Sequence, residues 1–189
     1  MKQKLSALLL AAMLCLLTAA CDQQPTLPGE YPMELAFSSG AGAWRTILIL
    51  NPDGTFTGKY SDSDMGDTGT TYPNGTVYLC SFSGRFDVLP TTEPNAIPLH
   101  LVELTTEEDP GREEVKDGVR YIYAGPHGFF THETGTQAEQ FTLYTPDTPI
   151  ADLSEEMLFW WPVHHQNISP DTLGCYALWI PEVGAAFFS

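Results

Sequence analysis

Three aspartates, Asp62, Asp64 and Asp67, have the spacing in this chain that comes nearest to a metal-binding pattern. Calcium is bound by several carboxylate and carbonyl oxygens within one short loop. In the usual calcium loop a glycine stands sixth and an acidic residue twelfth. Here Gly66 is fifth and Asp67 is sixth, counted from Asp62. The cluster therefore predicts either a calcium site formed by the three aspartates or a solvated acidic turn between two strands.

Thiol chemistry depends on Cys80 and Cys175, which are far apart in the sequence and have no CxxC partner. This spacing does not indicate redox catalysis or zinc binding. In an oxidising compartment the two residues could form a disulfide. The other interpretation is two buried free thiols that behave as small apolar side chains. The chain also lacks the GxSxG and SxxK motifs of nucleophilic hydrolases, so we assign no catalytic residue.

Two pairs of adjacent aromatic residues are candidates for binding. Phe129-Phe130 and Trp160-Trp161 stand beside Gly, Pro or His, as residues in loops often do. Aromatic side chains of a barrel either fill its core or line a ligand cavity. Exposed aromatic pairs can also form a face for a carbohydrate or a protein. We therefore treat Phe129, Phe130, Trp160 and Trp161 as a candidate ligand or partner face, with core packing as the other interpretation.

The chemistry expected of Cys21 follows from the N-terminal segment. Lys2 and Lys4 precede an apolar run of about 13 residues, and Thr18-Ala19-Ala20 are small residues directly before the cysteine. The run is shorter than the roughly 20 residues that span a bilayer. With a cysteine at the cut site, the segment resembles a bacterial lipoprotein signal with its lipobox. The resemblance implies that Cys21 becomes the N-terminus and carries acyl chains such as palmitate on the extracytoplasmic face of the cell membrane.

The chain is strongly acidic, with 24 Asp and Glu residues, 8 Lys and Arg residues and a formal charge of −16. Loss of Lys2 and Lys4 with a signal peptide of residues 1–20 would make the charge −18. Nucleic acid is not expected as a partner, because phosphate binding needs basic patches. An anionic lipid surface would also repel this protein, so the lipid on Cys21 would be its means of attachment. Residues 21–31 predict a polar, proline-containing tether, and residues 32–189 suit a single domain.

The domain is predicted to be mostly β, because short β-rich runs alternate with turns of Gly, Pro and Asp. The clearest hairpin signal is Asn51-Pro52-Asp53-Gly54. The predicted strands are 33–38, 44–50, 55–60, 76–88, 97–105, 119–124, 140–144, 175–180 and 185–188. One short helix is predicted near residues 153–161, with Asp152 as its N-cap and Glu155 completing a capping box. The acidic pairs that flank Pro110-Gly111 are assigned to a solvated loop.

Strands of this number and spacing favour one antiparallel β-barrel, with a sandwich as the alternative. Residues 33–60, in which Trp44 is followed by the hairpin, resemble the start of a lipocalin-like up-and-down barrel. The chain also resembles an uncharacterised group of lipoproteins from anaerobic Gram-positive bacteria. The matching stretches are 37–44, 50–56, 60–67, 72–78 and 144–153. The second resemblance implies a lipid-anchored lipoprotein with a β fold, and it implies no activity.

These features predict a membrane-tethered extracytoplasmic lipoprotein that is not an enzyme and binds a small molecule or a protein partner. One alternative is an extracytoplasmic metal-dependent hydrolase, and another is a structural accessory subunit of an envelope assembly. A deep aromatic cavity would favour ligand binding, whereas a filled barrel with an exposed Trp/Phe patch would favour a partner. Convergent His and Asp side chains would favour the hydrolase.

Overall fold

The computed structural model describes residues 26–40, 42–131, 133–163, 166 and 170–189. The predicted signal segment and the lipid site at Cys21 lie outside these residues. The described strands are β1 (Met33–Ser38), β2 (Trp44–Leu50), β3 (Thr55–Asp64), β4 (Thr76–Val88), β5 (Ala96–Thr106), β6 (Glu113–Lys116), β7 (Val119–Tyr123), β8 (Gln140–Tyr144), β9 (Ala177–Ile180) and β10 (Ala185–Phe188). A short helix, α1 (Glu155–Phe159), follows a 3-10 turn at Ile150–Asp152.

Eight strands close into an antiparallel up-and-down barrel. Its order is β1-β2-β3-β4-β5-β8-β9-β10, which follows the order of the chain apart from the insertion of β6 and β7. Pairing of Ala36 with Phe188 joins β10 to β1 and completes the ring. The predicted antiparallel barrel is therefore confirmed, in preference to the sandwich. The eight-stranded up-and-down architecture is the one that lipocalins have.

The turn between β2 and β3 forms where the sequence predicted it. The Asn51 backbone N–H donates to the carbonyl oxygen of Thr55 at 2.8 Å, and Gly54 has φ +83°, a conformation that glycine adopts without steric cost. The Asp53 carboxylate accepts hydrogen bonds from the side chain and the backbone of Thr55, and these bonds lower the pKa of Asp53. The turn sets Leu50 opposite Phe56, so both apolar side chains reach the barrel interior.

The β6–β7 hairpin is an extension of the barrel wall at one edge. β7 runs parallel to the first residues of β4, and β6 pairs with β7. Glu113 and Glu114, assigned to a solvated loop from the sequence, lie in β6 instead. The Glu113 carboxylate accepts two hydrogen bonds from the Arg120 guanidinium, at 2.8 and 3.0 Å. Because β6 is mostly exposed and charged, it lacks the apolar alternation by which strands are recognised.

The barrel interior is filled by aromatic and aliphatic side chains. The buried rings of Phe56, Phe82, Phe141 and Phe187 come from four strands. A fifth ring, Phe129, comes from the plug, which we define as residues 125–131 of the β7–β8 connection. The Phe129 ring is fully buried and lies 5.3 to 5.9 Å, centroid to centroid, from the other four. The plug therefore occupies space that would be open in a barrel with a ligand cavity.

The β8–β9 connection covers the outer face of β9 and β10. Both strands are buried at every residue, because their inner side chains join the barrel core and their outer ones pack against Met157, Trp161 and Leu173. Helix α1 is shorter than predicted, and its N-cap is Ser154, whose hydroxyl accepts from the Met157 N–H at 3.2 Å. Asp152 lies in the preceding 3-10 turn, so the predicted N-cap is wrong by two residues.

Part of the predicted tether packs against the barrel. Leu27 is only 5% exposed, and its backbone N–H donates to the carbonyl oxygen of Pro52 at 3.0 Å. The half-buried Tyr31 packs against the same core, and its hydroxyl donates to the carbonyl oxygen of Pro28. The predicted tether, residues 21–31, therefore includes residues that pack on the barrel core.

Candidate functional site

An aromatic cleft of about 690 Å³ lies at one end of the barrel. Antiparallel pairing brings the end of β1, the start of β2 and the β9–β10 turn to this end, and α1 and the plug close its sides. The lining side chains are Phe37, Trp44, His127, Glu155, Glu156, Phe159, Trp160 and Val183, with Gly184 and Ala185 of the turn. We call this site the aromatic cleft below.

The rings of the aromatic cleft meet at steep angles. Phe37 lies 4.8 Å from Trp44 and 4.8 Å from Trp160, centroid to centroid, with interplanar angles of 63° and 76°. Trp44 and Trp160 are 6.1 Å apart at 63°. These are favourable edge-to-face geometries. Phe37 is almost fully buried, whereas both tryptophans remain half-buried, so the tryptophan rings border the solvent-accessible space.

Trp160 is held in place by the β9–β10 turn. Its indole Nε1–H donates to the carbonyl oxygen of Gly184 at 2.8 Å. Gly184 has φ +68°, and a Cβ there would meet the Glu156 carboxylate at 2.5 Å. A residue with a side chain would therefore be strained at this position and would displace the carboxylate. Glycine thus allows both the hydrogen bond and the close approach of Glu156.

His127 of the plug lies between the cleft and the barrel interior. Its ring stacks near Phe37 at 5.6 Å and near Tyr60 at 5.0 Å, and it meets Trp44 edge-on at 4.7 Å. Its backbone carbonyl oxygen accepts from the buried Thr46 hydroxyl at 3.0 Å. Burial and the nearby Asp62 carboxylate raise the pKa of Tyr60 to about 12. The rings of His127 and Tyr60 therefore form an aromatic layer beneath the cleft.

Two exposed carboxylates, Glu155 and Glu156, supply the negative charge of the aromatic cleft. Neither takes part in an ion pair among the described residues. Of the side chains described as lining the cleft, none belongs to Lys or Arg. The cleft thus combines ring surfaces with negative charge.

A second groove, of about 640 Å³, lies between the outer face of β2 and β3 and the segment that leads into the β6–β7 hairpin. Its lining includes Arg45 and Lys59 together with Glu107 and Glu108. Because both signs of charge are present, this groove selects no particular ligand charge. We therefore take the aromatic cleft as the candidate functional site.

The predicted aromatic face is only partly correct. Trp160 lines the aromatic cleft, but Trp161 is 5% exposed and packs under α1, and Phe129 is fully buried in the barrel. Phe130 is half-buried and lines a different groove, with Leu104 and Pro126. Burial of Phe129 and Trp161 corrects the expectation that both pairs are exposed. Adjacent residues project in different directions from an extended backbone and also from the helical backbone that Trp160 adopts at the end of α1, so one member of such a pair is often buried.

Sequence reasoning missed most of the residues that form the cleft with Trp160. Phe37 and Trp44 were assigned to strands, where aromatic residues are expected for packing alone. The carboxylates of Glu155 and Glu156 begin α1, and the exposed Phe159 ends it. An Asp/Glu pair at a helix start is common because it complements the helix dipole. Only the adjacency of acids and aromatics in residues 155–160 could have indicated a site.

The three aspartates of the predicted calcium loop have separate protein partners. Asp64 accepts from the Gly66 and Asp67 N–H groups at 2.8 and 3.2 Å. Asp67 accepts from the Thr76 hydroxyl at 2.8 Å and lies 3.5 Å from the Arg120 guanidinium. No group of His, Cys, Asp or Glu side chains within the described ranges is placed to hold a metal ion. These contacts support the acidic-turn interpretation, and the calcium site at Asp62, Asp64 and Asp67 stays a prediction.

Cys80 and Cys175 are free thiols in this structure. Cys80 belongs to the barrel core, whereas Cys175 packs with the cluster outside β9 and β10. Of the two alternatives, the structure agrees with two free thiols in separate clusters. Burial, and to a smaller extent the charge of Glu107, raises the pKa of Cys80 to about 11. Burial also raises the pKa of Cys175, against an opposing contribution from Trp161.

Comparisons with models of protein families, with curated proteins and with solved structures found no match to this chain.

Proposed function

We propose that this protein is a membrane-tethered extracytoplasmic lipoprotein that is not an enzyme and binds a small molecule in the aromatic cleft. The proposal rests on two features of the same barrel. Its interior is filled, and an external cleft is bordered by Trp44 and Trp160. Because Phe129 occupies the interior, the ligand of this barrel binds outside it, at the end where the plug meets the strands.

The filled barrel and the exposed Phe159 ring would by themselves favour a protein partner, but the size and the lining of the aromatic cleft favour a small molecule. The volume of about 690 Å³ falls within the range of roughly 300 to 1,000 Å³ that is usual for small-molecule sites. Such sites are mostly apolar, with a few polar groups that orient the ligand. The aromatic cleft has this composition, since its ring side chains are accompanied by the carboxylates of Glu155 and Glu156.

Attachment to the membrane rests on the sequence before the barrel. Cys21 follows Thr18-Ala19-Ala20 at the end of the apolar run, and two acyl chains are enough for stable anchoring. In the part of the chain that the structure describes, no helix has the length and apolar character needed to cross a bilayer. An overall charge of −16 also disfavours adsorption to anionic lipid.

Mass spectrometry of the protein from the membrane fraction of its natural host, or of a bacterium that processes lipoproteins, tests the anchor. We expect a mature N-terminal peptide that begins at Cys21 and carries acyl chains. A Cys21→Ala variant should lose the acyl groups and leave the membrane fraction. An unmodified Cys21 in the wild-type protein, or an intact Met1, would refute the lipoprotein proposal.

A screen of the full chain in a mild non-ionic detergent tests the binding site. Amines, amino acids, sugars and neutral apolar compounds are compared by thermal shift and by tryptophan fluorescence. We expect at least one class to bind wild-type protein and the Phe130→Ala control, and to bind Trp160→Ala more weakly. Binding that is equal in the wild type and Trp160→Ala would place the ligand elsewhere and contradict the proposal. Absence of binding in every class would contradict it as well.

A further inference from the structure

We propose that the ligand of the aromatic cleft is a small organic cation whose nitrogen carries alkyl groups, such as a quaternary or tertiary ammonium. This inference rests on the proposed function, because it names the ligand class of the same site. It is carried by the arrangement of Phe37, Trp44 and Trp160, by the carboxylates of Glu155 and Glu156, and by the chemistry of alkylated cations.

The rings provide surfaces on more than one side of a bound group. Trp44 and Trp160 are set at 63° to each other, and Phe37 meets Trp160 at 76°. Rings at steep angles enclose a corner, which is how aromatic cages bind quaternary ammonium groups. Tryptophan is the ring that attracts cations most strongly, and both tryptophans are half-buried rather than enclosed in the core.

The carboxylates give the cleft the sign of charge that such a ligand needs. Glu155 and Glu156 are both exposed, and neither forms an ion pair with any residue in the described ranges. The Glu156 carboxylate lies beside Gly184, the residue whose carbonyl oxygen accepts the Trp160 hydrogen bond. A cation between ring and carboxylate would therefore be attracted by both. The formal charge of −16 adds a long-range attraction for cations.

The large share of ring surface in the aromatic cleft favours an alkylated nitrogen over a primary amine or a metal ion. A primary ammonium carries three N–H donors, and each donor needs an acceptor when it leaves water. Calcium needs six to eight oxygen ligands. The polar side chains of the lining are the two exposed carboxylates and the imidazole of His127, and the other surfaces are rings and small apolar groups that offer no strong hydrogen-bond acceptor. A quaternary nitrogen has no donors to satisfy, and its methyl groups pack against the rings.

The test compares choline with 3,3-dimethylbutan-1-ol, a neutral molecule of nearly the same shape in which carbon replaces the charged nitrogen. Saturation-transfer NMR and titration of tryptophan fluorescence measure both affinities on the full chain in non-ionic detergent. We expect choline to bind about 2- to 30-fold more tightly, the range that a cation–π contact provides. We also expect its affinity to fall as salt concentration rises.

Matched variants assign the effect to the cleft. Glu155→Gln and Glu156→Gln should each weaken choline binding without changing the affinity for the neutral alcohol. Glu93→Gln, an exposed acid in the β4–β5 connection, serves as the control and should leave both affinities unchanged. Trp160→Ala should weaken the binding of both ligands. Phe159→Ala, at a side chain that is 57% exposed, provides a second ring variant with little risk to folding.

The outcomes separate this inference from the proposed function. If the neutral alcohol or a sugar binds as tightly as choline and Trp160→Ala weakens it, the cation inference is overturned and the binding function stands. If choline binds but the glutamine variants retain full affinity and the neutral alcohol matches it, the charge argument is likewise overturned. If no compound binds at the cleft, both are rejected.

Discussion

The buried hydroxyl of Thr46 donates a hydrogen bond to the backbone carbonyl oxygen of His127 at a distance of 3.0 Å. This bond joins the inner face of β2 to the plug, across 81 residues of sequence. It holds His127 beneath the aromatic cleft while Phe129, two residues further on, enters the core. The plug therefore links the packing of the barrel to the shape of the candidate site.

Replacing Thr46 by valine should remove this bond with little change in shape. The His127 carbonyl oxygen would lose its buried donor, so we expect the free energy of unfolding to fall by about 1 to 3 kcal/mol. Urea denaturation followed by circular dichroism measures the change. Thr46→Ser keeps the hydroxyl and should lose less stability than Thr46→Val. A valine variant as stable as the wild type would show that the bond does not secure the plug.

Truncation of Phe129 should be among the most damaging changes in the chain. The Phe129→Ala variant would leave a cavity among four other rings, so we expect a loss of about 3 to 5 kcal/mol in the free energy of unfolding. Phe130→Ala, at the neighbouring half-buried ring, is the matched control and should cost less. Chemical denaturation of the two variants side by side measures the difference. Equal losses would contradict the assignment of Phe129 alone to the barrel core.

Stability should decline at high pH because of Tyr60. Its pKa is about 12 in the folded protein, against 10.0 for the ordinary side chain, mainly because burial disfavours the phenolate. The folded state therefore retains a proton that the unfolded state loses, so this contribution is complete below pH 10 and disappears as pH rises towards 12. Thermal unfolding between pH 9 and 11.5 should show a shallower decline for Tyr60→Phe than for the wild type. Tyr31, whose pKa is also raised to about 12, should account for part of the remaining slope. An unchanged slope in Tyr60→Phe would contradict the burial of the Tyr60 hydroxyl.

The thiol of Cys80 should react slowly in the folded protein. The side chain is 5% exposed and its pKa is about 11, so little reactive thiolate is present at pH 8. Alkylation with iodoacetamide followed by peptide mapping should show Cys175, which is half-buried, modified before Cys80. In denaturant both should react at similar rates. Recovery of a disulfide-linked peptide pair from the non-reduced protein would contradict the two free thiols.

The elements that were recognised from sequence are those whose signal is local. β1, β2, β8 and β10 lie at the predicted positions, because β-rich runs between turn residues identify them. β6 was missed because three of its four residues are charged and exposed or half-buried, so it lacks an apolar alternation. The N-cap of α1 was misplaced because Asp152 and Ser154 are both good capping residues. Which of them caps the helix depends on how the β8–β9 connection packs on β9 and β10.

Whether each aromatic residue is buried or exposed could not be derived from its neighbours in the chain. Phe129 and Phe130 are adjacent, yet one lies in the core and the other lines a groove. The same division separates Trp161 from Trp160. Which ring of each pair is buried depends on the path of the plug and of the β8–β9 connection over the closed barrel. Contacts between residues that are distant in the sequence decide that path.

Composition and local pattern were sufficient to predict the acidic charge, the turn at Asn51–Gly54, most strand positions and the antiparallel β class. Each of these depends on composition or on residues that are near one another in the sequence. The same local reasoning supplied the lipoprotein prediction for Cys21, which stays a prediction. Three features could be learned only from the tertiary structure. β10 closes on β1, Phe129 fills the interior, and one cleft brings together Trp44, Trp160 and Glu156. The residues of the cleft are up to 116 positions apart, between Trp44 and Trp160, and only barrel closure brings them together.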